Sequence, residues 1–540
     1  MLSKHPSPYR RSLVTVLAAA LLLQIFIFTR FHAADSVQRQ SQPQTASLHE
    51  SVGALFTANV TPKDFGLKGK KVAALAELAK HYQQNPFLPT ASLEAAVIRE
   101  FPWWNPDKLQ YVPWRTRSWF KSWSQGALET NIGIVLCVGE KNAWEAGHLI
   151  VTLRNVLRSK LPVEVAYGGD EDLSPRTRAF LQSLGSNLHF IDLAAIYDDN
   201  LVGLSGWAMK PFALLASRFA RTILVDADVV FFSKPDNAFD EHSSLRETGT
   251  LFYHDRCITM YWTHGRQAWL NEELNNAERL PSSRLNDSSL FFRGYVGEEA
   301  DSAVVFVDRS RPELYLSMVF AAWMNTEEIR DSFTYQMFYG DKETYWLATE
   351  LSGSPYSFEP YSAALLAECE VKSDDEHTIA SASETTTIRT CTNHMAHANA
   401  AGDAPFWANA AVWKDKNYKN LGFVNWTHWF LGDGIADAIN AAKPPSMGSF
   451  SATTGDQDSA SVPVDVDGNA NGSVTTDDGS AEKMQRLIMS TQPDWGAGAG
   501  CTQHDESKWR ELSPGLQTTL KAVLAEAHAI SKEYHKAVES

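Results

Sequence analysis

The chain has 540 residues, 44% of them hydrophobic, which is enough for a large core and more than one structural unit. Its 48 Lys and Arg against 64 Asp and Glu give a formal charge of −16. That balance excludes the basic footprint of a nucleic-acid binder, so a polyanionic partner would have to meet a local positive group or a bound cation.

Residues 12–29, SLVTVLAAALLLQIFIFT, are an uncharged apolar run close to the roughly 20 residues that cross a bilayer as helix. Lys4, Arg10 and Arg11 precede it and only Arg30 follows closely. The positive-inside rule therefore makes residues 1–11 a cytosolic tail and carries the remaining chain across the membrane, a single-pass type II topology. A cleaved leader, with Ala33 and Ala34 at the processing site, is the competing reading, but the run exceeds the apolar region of about 7 to 15 residues usual there. The triplets that begin at Asn59, Asn286, Asn425 and Asn471 are N-glycosylation sequons and agree with a secretory address. None of the five cysteines forms a C-x-x-C pair, which argues against a zinc cluster. Cys369 and Cys391 bracket a polar insert and could pair in an oxidising compartment, whereas Cys137 lies in an apolar run and reads as a buried thiol.

Residues 30–65 read as a stalk, rich at first in Ser and Gln. In segment 66–130 the spacing predicts helices over 70–84 and 92–101. Trp103, Trp104, Trp114, Trp119 and Trp123 crowd the same segment, where packing on the main domain outweighs a sugar-lining role. From residue 131 the pattern alternates between short apolar runs and helical periods. IGIVLCV (132–138) has the look of a strand covered on both faces, followed by a helix over 144–158 and a strand over 162–167. A helix near 175–184, a strand at 188–191, a helix at 209–219 and a strand at 223–225 complete the series. This predicts an α/β domain over 131–440, a Rossmann-like, mostly parallel sheet with flanking helices, whose ligand crevice lies outside the carboxyl ends of the strands. Residues 371–390 and 441–483 are polar and read as disordered inserts. Residues 484–540 form a helical C-terminal segment, in which Ser513-Pro514 starts a helix with Leu516, Leu520, Leu524, Ala527 and Ile530 at helical spacing. Packing on the domain is the expectation for that helix, docking of other transferases the alternative.

RTILVDADVVFF (221–232) places Asp226 and Asp228 where a buried strand emerges. Two carboxylates one residue apart, at the mouth of such a crevice, suit a hard cation such as Mg²⁺ or Mn²⁺, and two acids that merely cap a turn are the bland alternative. A phosphatase with an Asp nucleophile begins with a similar strand, but there the motif ends the first strand of the domain, and here several strand–helix units precede it.

LPVEVAYGGDEDLS, GWAMKPFALLASRFARTILVDADVVFFSKPD, GTLFYHDR and YGDKETYWLATELSG, in this order, resemble the fungal Golgi α-1,3-mannosyltransferase family over residues 131–432. The resemblance implies a GT-A type fold behind a transmembrane anchor. It also implies a Golgi-lumenal enzyme that moves mannose from GDP-mannose to a mannosylated N- or O-glycan with retention, using Mn²⁺ or Mg²⁺. Asp226 and Asp228 take the family's D-x-D role, with Asp228 on the metal and diphosphate and Asp226 on the ribose or the metal's water shell. Lys210 would serve the donor phosphates, a solvated lysine at a helix start being the alternative. Asp301 would orient the mannose, although Ala303 stands where relatives carry Gly. Asp341 would sit near the transferred sugar, against the plainer reading that it caps a helix. His397 would complete the metal site, although Ala398-Asn399 replaces the acid that relatives carry soon after it. An α-1,2 enzyme of the same fold and a non-catalytic glycan-binding or scaffold subunit remain as alternatives.

Overall fold

The computed structural model describes residues 60–85, 88–115, 132–256, 263–368, 390–409, 411–415, 418–441, 500–502 and 509–539, with isolated positions before residue 60. Residues 1–46, Asn59, Trp119, Trp123, Cys369, the inserts 371–389 and 442–483, and Asn471 lie outside the described residues. Among the described residues no helix is long and apolar enough to cross a membrane.

Helices α1 (Phe65–Gln84) and α2 (Ala91–Glu100) follow the predicted spacing. α1 buries Val72, Leu75, Ala76, Leu78 and Ala79. Its Lys68 and Lys71 meet Glu100 at 3.2 Å each, so the buried ammonium groups share one carboxylate. Trp103, Trp104 and Trp114 are all buried, and Trp104 Nε1 donates to Tyr315 OH at 3.0 Å. These three tryptophans pack as expected, and Trp119 and Trp123 lie outside the described residues.

The domain then alternates through β1 (Ile132–Cys137), α3 (Ala143–Val151), β2 (Val163–Tyr167), α4 (Pro175–Ser183), β3 (Leu188–Asp192), α5 (Met209–Ala216), β4 (Arg221–Val225) and β5 (Val229–Phe231). Next come β6 (Thr250–His254), β7 (Ala300–Asp308), α6 (Pro312–Met324) and α7 (Thr344–Ser352). The first sheet has the order β3-β2-β1-β4-β7-β6. β1 pairs in parallel with β2 and β4, and β2 with β3, whereas β7 runs antiparallel to both β4 and β6. The sheet is therefore mixed and carries an antiparallel flank that the spacing did not predict. Chain order reverses between β1 and β4, the topological switch point where open α/β sheets bind ligands.

A second sheet was also absent from the sequence-based expectation. β8 (Ala364–Ala367), β9 (Thr390–Thr392), β10 (His394–Ala398), β11 (Pro405–Asn409), β12 (His428–Phe430), β13 (Gly500–Thr502) and β14 (Arg510–Glu511) follow. Six strands form an antiparallel sheet in the order β14-β12-β8-β10-β11-β5. β4 belongs to the first sheet and β5 to the second, so Asp226 and Asp228 lie on the link between them. β9 and β13 form a separate ribbon whose register sets Cys391 opposite Cys501. The chain closes with α8 (Pro514–Tyr534), capped by Ser513, whose side chain accepts from Leu516 N.

Candidate active site

Backbone direction explains how distant residues reach one place. β4 delivers Asp226 at its carboxyl end, and Asp226 N donates to Ala303 O at 2.8 Å. Because β7 is antiparallel to β4, its first residues, Asp301 and Ser302, lie at that same end. β6 is antiparallel to β7, so the residues after its end, Asp255 and Arg256, come to this side as well.

Lys210, in the first turn of α5, is 4% exposed. Its Nζ lies 2.9 Å from Asp226 Oδ1 and 3.2 Å from Asp341 Oδ2, and it donates to Ser302 O and Oγ at 3.0 Å each. The alternative reading of Lys210 as a solvated lysine at a helix start is thus ruled out: an ammonium so enclosed needs these oxygens to replace water. Burial would lower its pKa, but Asp226 and Asp341 outweigh that and raise it. Asp226 is pushed up to about 7, first by desolvation and then by Asp228 and Asp341, against the pull of Lys210. It keeps 30% of its side-chain surface open.

Asp341 does not cap a helix. α7 begins at Thr344, and the position before it is Glu343, with no side-chain cap bond. The Asp341 carboxylate instead accepts from Tyr345 OH at 2.8 Å and Ser302 Oγ at 3.4 Å, besides meeting Lys210. Glu343 accepts through Oε1 from Glu299 N at 3.0 Å and Ala300 N at 2.9 Å, and through Oε2 from Trp346 Nε1 at 2.6 Å. Its carboxyl is raised to about 8, chiefly by burial and then by Glu298. Lys342 turns away from this trio and pairs with Asp255 at 2.6 Å and with Glu298.

Asp301 faces the second sheet. Its Oδ2 accepts from His397 Nε2 at 3.1 Å, and Oδ1 from Ala303 N at 2.9 Å. Asn409 Nδ2 reaches both oxygens at 3.4 Å. Burial pushes the Asp301 carboxyl up, but the His397 hydrogen bond and charge more than reverse this and hold it at about 2. His397 is 1% exposed, lies 4.1 Å from the Trp407 ring between centroids, and keeps a buried Nδ1 without a hydrogen-bond partner. The expected third metal ligand therefore differs in place: its Nε2 is engaged by Asp301. Among the described residues no group of three or more His, Cys, Asp or Glu is gathered to hold a cation.

The sequence-predicted residues Lys210, Asp226 and Asp341 come together as one ion-paired group, and Asp301 joins His397 beside it through neighbouring Ser302. Asp228 stands at the sheet junction, where its carbonyl accepts from Ala411 N at 2.6 Å. Ser302, Tyr345 and Asn409 were given no role by sequence reasoning: Ser302 and Tyr345 stand beside or within the marked motifs as ordinary polar and aromatic residues, and Asn409 lies in none of them. Cys137, read only as a buried thiol, ends β1 at the switch point, and burial raises its pKa.

The chain matches a family described as "Mannosyltransferase putative" over residues 131–399. It is 26% identical over 328 residues to "Alpha-1,3-mannosyltransferase MNT3" of Saccharomyces cerevisiae, covering 55% of this chain and 48% of that protein. It is 25% identical over 321 residues to "Probable alpha-1,3-mannosyltransferase MNT4" of the same yeast, covering 54% and 52%. The chain thus spans about half the length of these curated relatives. Among solved structures, "Core-mannan synthase A (CmsA/Ktr4) from Aspergillus fumigatus, Mn/GDP-form" overlaps 43% of this chain and 73% of its own, at 10% identity and a TM-score of 0.30. The family match over residues 131–399 and the two yeast relatives support a fungal α-1,3-mannosyltransferase family for this chain.

Proposed function

We propose that the protein is a retaining α-mannosyltransferase that moves mannose from GDP-mannose to a mannosylated N- or O-glycan, forming an α-1,3 linkage. The observation that carries this reading is the Lys210 bridge between Asp226 and Asp341 at the switch point of the sheet. The family match and the names of the yeast relatives support it. The Mn/GDP-bound state in the name of the Aspergillus structure belongs to that protein alone.

The residues present fit a divalent cation. Asp226, Asp228 and Asp341 outnumber Lys210, and Asp226 is desolvated, so local negative charge is left to be balanced. Asp228 and Asp226 would hold Mn²⁺ or Mg²⁺ through hard oxygens, with diphosphate and water supplying the other ligands. When bound, the cation would offset the charge that develops on the departing diphosphate.

Lys210 fixes the Asp226 carboxylate and holds Asp341 close by, so the two acids keep one spacing without repelling each other apart. Asp341 already accepts from three side chains, which suits positioning and charge stabilisation better than nucleophilic attack. Asp301, oriented by His397 and Asn409, is placed to accept sugar hydroxyls in a dry site, where such bonds count for more than in water.

We place the protein in the Golgi membrane as a type II protein with its domain lumenal. Support comes from the apolar run 12–29 with its basic flank, and from the exposed positions of Asn286 and Asn425.

The test is transfer by the full chain in detergent, with GDP-mannose, Mn²⁺, and α-mannobiose or a mannosylated N-glycan as acceptor. The expected result is Mn²⁺-dependent transfer to an α-anomeric, 1,3-linked product, lost in Asp228→Ala. A folded chain that binds GDP yet glycosylates neither mannoside would point to another acceptor, absence of both GDP binding and transfer would favour a scaffold subunit, and an α-1,2 product would correct the linkage.

A further inference from the structure

Among the described residues Trp103, Trp104, Trp114, Trp144, Trp323, Trp346, Trp407, Trp426 and Trp429 are buried, and Trp269, Trp413 and Trp509 are partly so. Trp207 is 50% exposed and Tyr339 66%. Their ring centroids are 5.0 Å apart and their planes tilt by 48°. Two large rings left open to water side by side have an apolar surface that folding did not use, and such a surface marks a binding place.

Their position in the chain says which one. Trp207 lies three residues before Lys210, on the turn that leads into α5. Tyr339 lies two residues before Asp341. Lys210 and Asp341 are 3.2 Å apart, so the two turns meet at the site and present their rings at its edge. The backbone between Tyr339 and Asp341 is built for this. Gly340 has φ +73°, and a Cβ there would come within 2.9 Å of Trp207 Cε3, so only glycine lets the indole lie on that turn. Tyr339 is fixed from behind, because its N–H donates to Glu298 Oε1 at 2.8 Å.

We propose that Trp207 and Tyr339 form the shelf that receives the terminal sugar of the acceptor, the apolar C–H face of a pyranose lying on the rings beside Asp341. This rests on the glycosyl-transfer reading above. A nucleobase is the other flat ligand for such rings, and local charge decides between them. Asp341 follows Tyr339 by two residues, Glu298 holds the Tyr339 N–H, and Lys342, whose ammonium lies 5.8 Å from the centre of the Tyr339 ring, is already paired with Asp255 and Glu298. Arg256 is drawn to Asp255 and Arg266 to Glu298, at 3.4 and 3.8 Å. These cations are therefore committed to carboxylates. Such surroundings repel a nucleotide's phosphates and offer acceptors to the hydroxyls of a neutral sugar.

Initial rates for the full chain in detergent, with the concentrations of α-mannobiose and GDP-mannose varied separately, test the shelf. Trp207→Ala should raise the acceptor KM about 10-fold or more and change kcat at saturating acceptor by less than about twofold, the mark of lost uniform binding. The KM for GDP-mannose should stay at the wild-type value. Tyr339→Ala should act in the same direction, Trp207→Tyr should restore most of the acceptor affinity, and Tyr418→Ala, an exposed aromatic on another loop, should match the wild type. An unchanged acceptor KM in both Trp207→Ala and Tyr339→Ala overturns the shelf. A rise confined to the donor KM assigns the rings to the nucleobase and overturns it too. If the wild type transfers no mannose, the functional reading fails by itself, and saturation-transfer NMR with methyl mannoside, glucoside and galactoside then decides the shelf. A pyranoside signal lost in Trp207→Ala keeps the shelf for another sugar, and the absence of any signal in the wild type ends it.

Discussion

Lys210 holds a full charge where only protein oxygens solvate it, and two of those oxygens belong to carboxylates that would otherwise repel each other. Removing one partner of such a buried group leaves charge uncompensated. Lys210→Met is therefore expected to lower unfolding stability by about 3–5 kcal/mol, read from urea denaturation, together with loss of transfer. Lys210→Arg, which keeps the charge, should recover part of the stability. An unchanged urea midpoint for Lys210→Met would mean that Asp226 and Asp341 do not depend on the ammonium. Asp226 was legible in the sequence because an apolar strand runs straight into it. Asp341 was legible only in part: an acid just before a helix fits capping equally well, and the choice rests on Lys210, which lies far off in sequence. Ser302 was legible only as the neighbour of Asp301 and Asn409 gave no signal, since an ordinary polar residue gains its role from the strand that happens to run beside it.

At the scale of elements, the parallel part of the first sheet was readable from its apolar runs, because strands covered on both faces leave little choice of residue. The antiparallel flank and the second sheet were not. β9, β12 and β13 have three residues each, and HMAHA and PFWAN carry no period that separates strand from loop. Their pairing is decided by contacts across the fold. One residue shows how such contacts hold an element that bears the site. Arg309, directly after β7, is fully buried and donates to Leu215 O at 3.2 Å, Ser217 O at 2.9 Å, Phe219 O and Thr222 Oγ1 at 3.0 Å. It thus satisfies carbonyls at the end of α5, the helix that begins with Lys210. Arg309→Met strands those carbonyls and is expected to cost about 3–5 kcal/mol, measured by thermal or urea unfolding, whereas a near-neutral result would show that water reaches the carbonyls instead. Glu343 carries the pH dependence of the β7–α7 junction. Its folded pKa of about 8 lies above the ordinary 4.5, so the fold favours the neutral carboxyl. Its contribution is complete below about pH 4.5 and is lost as pH rises through about 8, at roughly 1.4 kcal/mol per pH unit. Tm should fall across that interval, and Glu343→Gln should flatten the fall even if it lowers Tm at pH 5. An equal slope in the variant would place the titration elsewhere.

Across the whole molecule, a net charge of −16 coexists with a site whose central group is a single enclosed lysine, so composition could exclude partners but could not locate the positive group. The C-terminal helix is tied to the first helix of the α/β domain in a way that helical spacing foresaw only as packing somewhere. α8 lies on α3: Trp144 Nε1 donates to Ser531 Oγ at 3.1 Å, and His148 Nε2 meets Val523 O at 3.1 Å. Gly147 allows the close approach, since a Cβ there would stand 2.8 Å from Ile530 Cδ1. Leu520, Val523, Ala527, Ile530 and Tyr534 are all buried, so the apolar face of α8 is used within the fold and is not left for docking another transferase. α3 follows directly from β1, the central strand at the switch point, so removing α8 uncovers the side of the domain that supports the site. Burial of five such side chains contributes on the order of 5–10 kcal/mol, comparable with the total stability of a typical domain. A chain ending at residue 512 is therefore expected to lose cooperative unfolding and to be cut rapidly by protease at low concentration. Ile530→Asp, which places one charge against Gly147 and α3 and leaves the helix present, should lower Tm while retaining a cooperative transition. Were the shortened chain to melt with the wild-type midpoint and keep its transfer activity, α8 would be an appendage, and the domain would have to be closed by the two sheets alone.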